Sequence, residues 1–116
     1  MNKLINTVLV LISLAGFAVA GYAEDNTSYQ AEAIAKGKFA DAEQGLLAIL
    51  AENPNDPYAL LNLAFVYNKT GDNVKAQDTY NKILTLKANP YADLASGKSE
   101  SVKTVARRGI AKLAAE

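Results

Sequence analysis

Residues 57–90 read PYALLNLAFVYNKTGDNVKAQDTYNKILTLKANP, and this stretch decides how the chain folds. Leu60, Leu63, Ala64 and Tyr67 recur at the i, i+3, i+4, i+7 spacing of a helix face, and Ala76, Tyr80, Ile83 and Leu84 resume that spacing further on. Thr70-Gly71-Asp72 separates the two runs. Gly71 can take the left-handed backbone that ends a helix, while Asp72 or Asn73 can cap the first free N–H groups of the next. The reading is a helical hairpin, with the small residues Ala64 and Ala76 where two backbones must approach closely.

Upstream, the same pattern returns. A first helix is expected from Thr27 or Ser28 to Lys36, with Tyr29, Ala33 and Ile34 facing inward, and Gly37 ends it. Residues 38–52 supply a second helix with Phe39, Ala42, Leu46, Ile49 and Leu50 on one side, stopped by Asn53-Pro54-Asn55-Asp56-Pro57. Laid on itself, the chain repeats at a step of 34: Gly37 falls on Gly71, Ala42 on Ala76, Leu46 on Tyr80, Ile49 on Ile83 and Leu50 on Leu84. Coincidence at one offset marks an internal repeat.

On these residues the chain resembles the tetratricopeptide repeat (TPR) family, a 34-residue helix–turn–helix unit. Leu60, Leu63, Ala64 and Tyr67 fall on the pattern positions of its first helix, and Gly71, Ala76, Tyr80 and Ile83 on those of its turn and second helix. Residues 57–90 then form one repeat. Residues 23–56 form another whose first helix is degenerate, with Gln30 where a small residue would sit. After Pro90 the pattern departs: residues 91–98 read as a linker, Ser99 as an N-cap, and residues 99–115 as a capping helix carrying Val102, Val105, Ala106, Gly109, Ile110 and Leu113 inward. The fold implied is all-α, antiparallel helical hairpins stacked as a short right-handed solenoid over residues 24–116.

The resemblance implies partner binding along the concave side, which first helices build. Tyr58, Leu61, Asn62, Phe65, Asn68 and Lys69 are therefore the groove candidates, with Tyr58, Leu61 and Phe65 as an apolar strip and the polar three setting register. A carboxylate clamp of the chaperone-binding kind is rejected, because the positions flanking Asn62 on neighbouring first helices hold Thr27, Ala31, Glu100 and Thr104. The competing uses of the same strip are burial under the degenerate first helix, under the capping helix, or between two copies of the chain. Three repeats are usually wanted for independent stability, so a homodimer or a stack-extending partner is expected of two.

Composition narrows the function further. There is no Cys and no His, which removes thiol chemistry, disulfides, thiolate or imidazole metal ligation and His-based proton transfer. Twelve Lys plus Arg balance twelve Asp plus Glu, so neither nucleic acid nor an anionic membrane surface is an expected partner. Arg107-Arg108 is the only adjacent basic pair and points two ways on a helix, as a solvated face does. Asp41, Glu43, Asp72 and Asp78 read as surface and cap acids, with no carboxylate pair for hydrolysis. Gly97-Lys98-Ser99 resembles the end of a phosphate loop, but Ala92 stands where its first Gly belongs and no strand is expected before it. The sequons at Asn26 and Asn68 matter only in a glycosylating host. No cofactor, no metal and no catalysis are expected.

Residues 1–23 are a separate unit. A weakly basic start at Lys3, an apolar run over residues 4–19 and small residues at Ala18-Val19-Ala20 and Gly21-Tyr22-Ala23 read as a secretory signal peptide of bacterial style, cut after Ala23 in preference to Ala20. Periplasmic or secreted localisation follows, with an uncleaved inner-membrane anchor as the alternative. A lipoprotein is excluded, since no Cys follows the run.

Overall fold

A computed structural model describes residues 29–94 and 96–116. The signal peptide expected over residues 1–23 and the expected helix start at Thr27 or Ser28 lie outside these. In chain order come α1 (Ala31–Ala35), α2 (Phe39–Glu52), α3 (Pro57–Lys69), α4 (Asn73–Thr85), β1 (Tyr91–Asp93), β2 (Ser99–Ser101) and α5 (Val102–Ala115). None of the described helices is long and apolar enough to cross a membrane.

The turn chemistry explains where each helix stops. Gly37 and Gly71 have φ of 76° and 89°, the left-handed region that a side chain resists. After α1, Lys38 N–H donates to Ala33 C=O at 2.8 Å and Gly37 N–H to Ile34 C=O at 3.0 Å. After α3, Asp72 N–H donates to Tyr67 C=O at 2.8 Å and Gly71 N–H to Asn68 C=O at 3.1 Å. Both are the paired C-terminal closure of a helix ending in glycine. The offset of 34 thus recurs in the main-chain hydrogen bonds.

Helix starts are capped by side chains. Asp56 Oδ1 accepts from Tyr58 N–H at 3.0 Å and Ala59 N–H at 3.2 Å, with Pro57 in the first turn where its missing N–H costs nothing. Asp72 caps α4 through Lys75 N–H at 3.1 Å. Ser101, not Ser99, caps α5, accepting from Thr104 N–H at 3.2 Å.

Two expected boundaries move. The first helix begins only at Ala31, because Tyr29 and Gln30 both sit in the left-handed region, φ 54° and 63°. Gln30 nonetheless fits where a small residue was expected, since the facing helix supplies the space: a Cβ on Gly45 would lie 2.4 Å from Gln30 Cδ. The linker at 91–98 is a β-ribbon, pairing Tyr91 with Ser101, Ala92 with Glu100 and Asp93 with Ser99. Ala92 and Leu94 are buried beneath it, and Asp93 bonds the Ser99 hydroxyl. Apolar anchoring of the ribbon makes strand of what reads as linker.

Helix α3 is the centre of the packing. Nine consecutive residues, from Ala59 to Tyr67, are buried. A helix buried all round requires neighbours on every side, and α2, α4 and α5 supply three of them. Ala42, Ala64, Ala76 and Ala106 are fully covered, marking the close crossings. At the outer crossing Tyr80 and Gly109 complement each other, the ring filling the space that a side chain at 109 would need.

Burial pushes the Tyr80 phenol far above the ordinary 10.0, and Glu116 nearby adds to the rise; Tyr67 is raised too, by burial first and then by Glu43 and Asp72. Below pH ~10 both folded and unfolded chains hold these protons, so stability is unaffected. Above it the unfolded chain ionises first and the native state loses ground. Melting temperature is expected to stay level up to about pH 10 and fall beyond it, and Tyr80→Phe should reduce the fall. A variant whose alkaline melting profile matches the wild type would show that Tyr80 is not responsible.

Candidate functional site

The six groove candidates all lie on α3, but they do not form one exposed strip. Leu61, Asn62 and Phe65 are 0% exposed, whereas Tyr58, Asn68 and Lys69 are half-buried. The expected open apolar strip is therefore corrected: two of its three members belong to the core. The physical signal was present in the helix itself, where PYALLNLAFVY is apolar on both faces and so describes a helix covered all round.

What the α3 face does carry is a polar and aromatic cluster at its N-terminal end. Asn62 Nδ2 donates to the Tyr29 carbonyl at 2.9 Å, while Asn62 Oδ1 is buried with no hydrogen-bond partner among the described residues. The Tyr29 and Tyr58 rings meet at 5.5 Å between centroids, tilted by 51°. Tyr29 Oη donates to Asp56 Oδ2 at 3.0 Å, and Tyr58 Oη donates to the Tyr91 carbonyl at 2.8 Å. Asp56 thus serves twice, as the cap of α3 and as the acceptor for an aromatic hydroxyl. An unmet buried acceptor costs about 1–3 kcal/mol, and left-handed backbone at a side-chain-bearing residue about 1–2 kcal/mol. The cluster holds both costs in one place.

The remaining candidates point elsewhere along the helix. Lys69 Nζ lies 5.6 Å from the centre of the Phe65 ring, a cation–π contact. Asn68 Nδ2 bonds Asn73 Oδ1 at 3.1 Å and Glu116 Oε1 at 3.2 Å, tying the end of α3 to α4 and to the C-terminal residue. Tyr29, Asp56 and Tyr91 join the site without having been expected there. Of these, Asp56 before Pro57 carried a readable capping signal.

Two shallow depressions have linings that include none of Tyr29, Asp56, Tyr58, Asn62 and Tyr91. One, about 260 Å³, is lined by Gln30, Glu32, Ala33, Lys36 and Lys38, and its Glu32–Lys36 pair at 3.0 Å is an exposed i,i+4 contact of one helix. The other, about 490 Å³, is lined by Asn55, Thr85, Leu86, Lys87 and Ala88. Among the described residues no group of His, Cys, Asp and Glu is close enough to hold a metal ion.

Stacked helical hairpins whose shared helix presents polar and aromatic groups to a main-chain segment define the class, an all-α helical repeat protein. The tetratricopeptide repeat family model matches residues 33–99, more than half of the 116-residue chain. The chain belongs to the tetratricopeptide repeat family. No curated protein and no solved structure matches it. Repeats of this family generally mediate protein–protein interaction and are typically not catalytic.

Proposed function

We propose that this protein is an exported, non-catalytic interaction module of the cell envelope that holds a peptide or helix of a protein partner against α3. The observation that carries the reading is Asn62: its amide already grips a main-chain carbonyl, that of Tyr29, at 2.9 Å from a fully buried position. A side chain so placed recognises backbone and not one side chain, which suits peptide capture. Export rests on residues 1–23, and the periplasm is the destination proposed.

Half-exposed Tyr58 and Lys69 are the residues to vary, because truncating buried Phe65 would test folding instead. Crosslinking capture from an envelope extract is expected to return a partner with the wild type, and to lose it with the Tyr58→Ala, Lys69→Glu pair while circular dichroism stays unchanged. Retention of the same partner by that double variant would sink the α3 reading. Intact mass of the exported chain should begin at Glu24.

A self-associating structural subunit is the second reading, and among the described residues Leu47, Val74 and Tyr91 are the large apolar side chains that a second copy could cover. Light scattering over a concentration series separates the two. A stable dimer that Val74→Glu or Leu47→Glu dissolves supports self-association, and a monomer throughout supports the binding module.

A further inference from the structure

Two consecutive residues with side chains, Tyr29 and Gln30, hold left-handed backbone just where the chain meets the α3 cluster. That segment is anchored by the Asn62 amide on the Tyr29 carbonyl, by the Tyr29 ring on Tyr58, and by the Tyr29 hydroxyl on Asp56. Seen from α3, these are the contacts of a bound peptide residue: a carbonyl for the amide, a ring for the aromatic face, a hydroxyl for the carboxylate. One partner is missing. Asn62 Oδ1, oriented by the carbonyl its Nδ2 holds, is buried and accepts nothing among the described residues.

We propose that the Tyr29–Gln30 turn is an occupant of the α3 site supplied by the chain itself, a latch that an extended partner segment carrying tyrosine displaces. The proposal rests on the reading that α3 takes a main-chain segment. The turn is a poor ligand for two reasons on the page, its left-handed backbone and the acceptor it leaves unfilled. An extended segment has neither fault. Its tyrosine reproduces the ring and hydroxyl contacts, its carbonyl meets Asn62 Nδ2, and a neighbouring N–H, free of the turn, meets Asn62 Oδ1. The latch sets a threshold: a partner's apparent affinity falls by the fraction of molecules in which the site is vacant.

The test supplies the latch in trans. The full chain, labelled with ¹⁵N, is titrated with the end-blocked peptide of residues 26–32, NTSYQAE, while the Asn62 side-chain amide signals are followed. Tyr29→Ala should bind this peptide about tenfold more tightly than the wild type. Gln30→Asn, which suits left-handed backbone better, should bind it more weakly, and the peptide with alanine for tyrosine should leave Asn62 unmoved. Equal affinities for wild type and Tyr29→Ala, with Asn62 shifting in both, would overturn the latch and leave the α3 site standing. Silence of Asn62 in every titration overturns both readings. Loss of signal dispersion in Tyr29→Ala also overturns the latch, since a displaceable segment is not required for folding; Tyr29→Phe, which keeps the ring and loses the Asp56 bond, should then bind no better than wild type.

Discussion

Phe65→Ala is expected to lower the free energy of unfolding by about 3–5 kcal/mol, the usual cost of emptying a fully covered phenylalanine site. Phe65 is 0% exposed, within the nine-residue buried run of α3, with the Lys69 ammonium over its ring at 5.6 Å. Small domains have about 5–15 kcal/mol in all. Urea denaturation should therefore show a midpoint displaced far toward zero denaturant, with a fraction of the chain unfolded in water. A loss below about 1 kcal/mol would mean that the ring faces solvent, as the spacing of Tyr58, Leu61 and Phe65 alone suggests.

The second large effect comes from the smallest side chain in α5. Alanine normally gains about 1 kcal/mol over glycine inside a helix, yet Gly109→Ala is expected to destabilise. A Cβ at position 109 would lie 2.4 Å from Tyr80 Cζ, 2.7 Å from Cε2 and 2.8 Å from Oη, and the Tyr80 ring is 1% exposed and has no room to retreat. Overpacking of this kind costs about 1–3 kcal/mol. Tyr80→Leu removes the obstructing end of the ring, so the double variant should recover part of the loss, with a coupling of about 0.5–3 kcal/mol. Simple additivity in thermal melts would separate Gly109 from Tyr80 and leave the close crossing of α4 and α5 unexplained.

Much of this architecture was legible from residue spacing. The step of 34, the glycine turns and the Asp72 cap all depend on interactions within a few residues, and local sequence specifies local geometry well. What escaped depends on distant partners. The β-ribbon exists because Ala92 and Leu94 are buried and the Val102 N–H reaches the Pro90 carbonyl at 2.8 Å; three-residue strands have too short a pattern to read. Ser99 and Ser101 are both good caps by composition; the strand runs on through Ser101, so the helix starts at Val102 and Ser101 is the residue beside it. Tyr29 fits helical periodicity, but the Asn62, Tyr58 and Asp56 contacts hold it in another conformation.

Leu61 and Phe65 teach a different lesson. Family resemblance places first-helix residues on a concave surface, which assumes enough hairpins to make that surface open. Here one helix is shared by nearly the whole core, so the apolar positions Leu61 and Phe65 are consumed by folding.

The matched closures at Gly37 and Gly71 have a consequence for growth of the molecule by duplication. Because the two joints make the same pair of main-chain hydrogen bonds at equivalent positions, a copied segment of one repeat length inserted between them meets at its far end the joint it found at its near end. No new turn has to be invented, and the ribbon with α5 still closes the last hairpin. Length in such a chain is a quantity that gene duplication adjusts in whole steps, while the terminus is inherited intact.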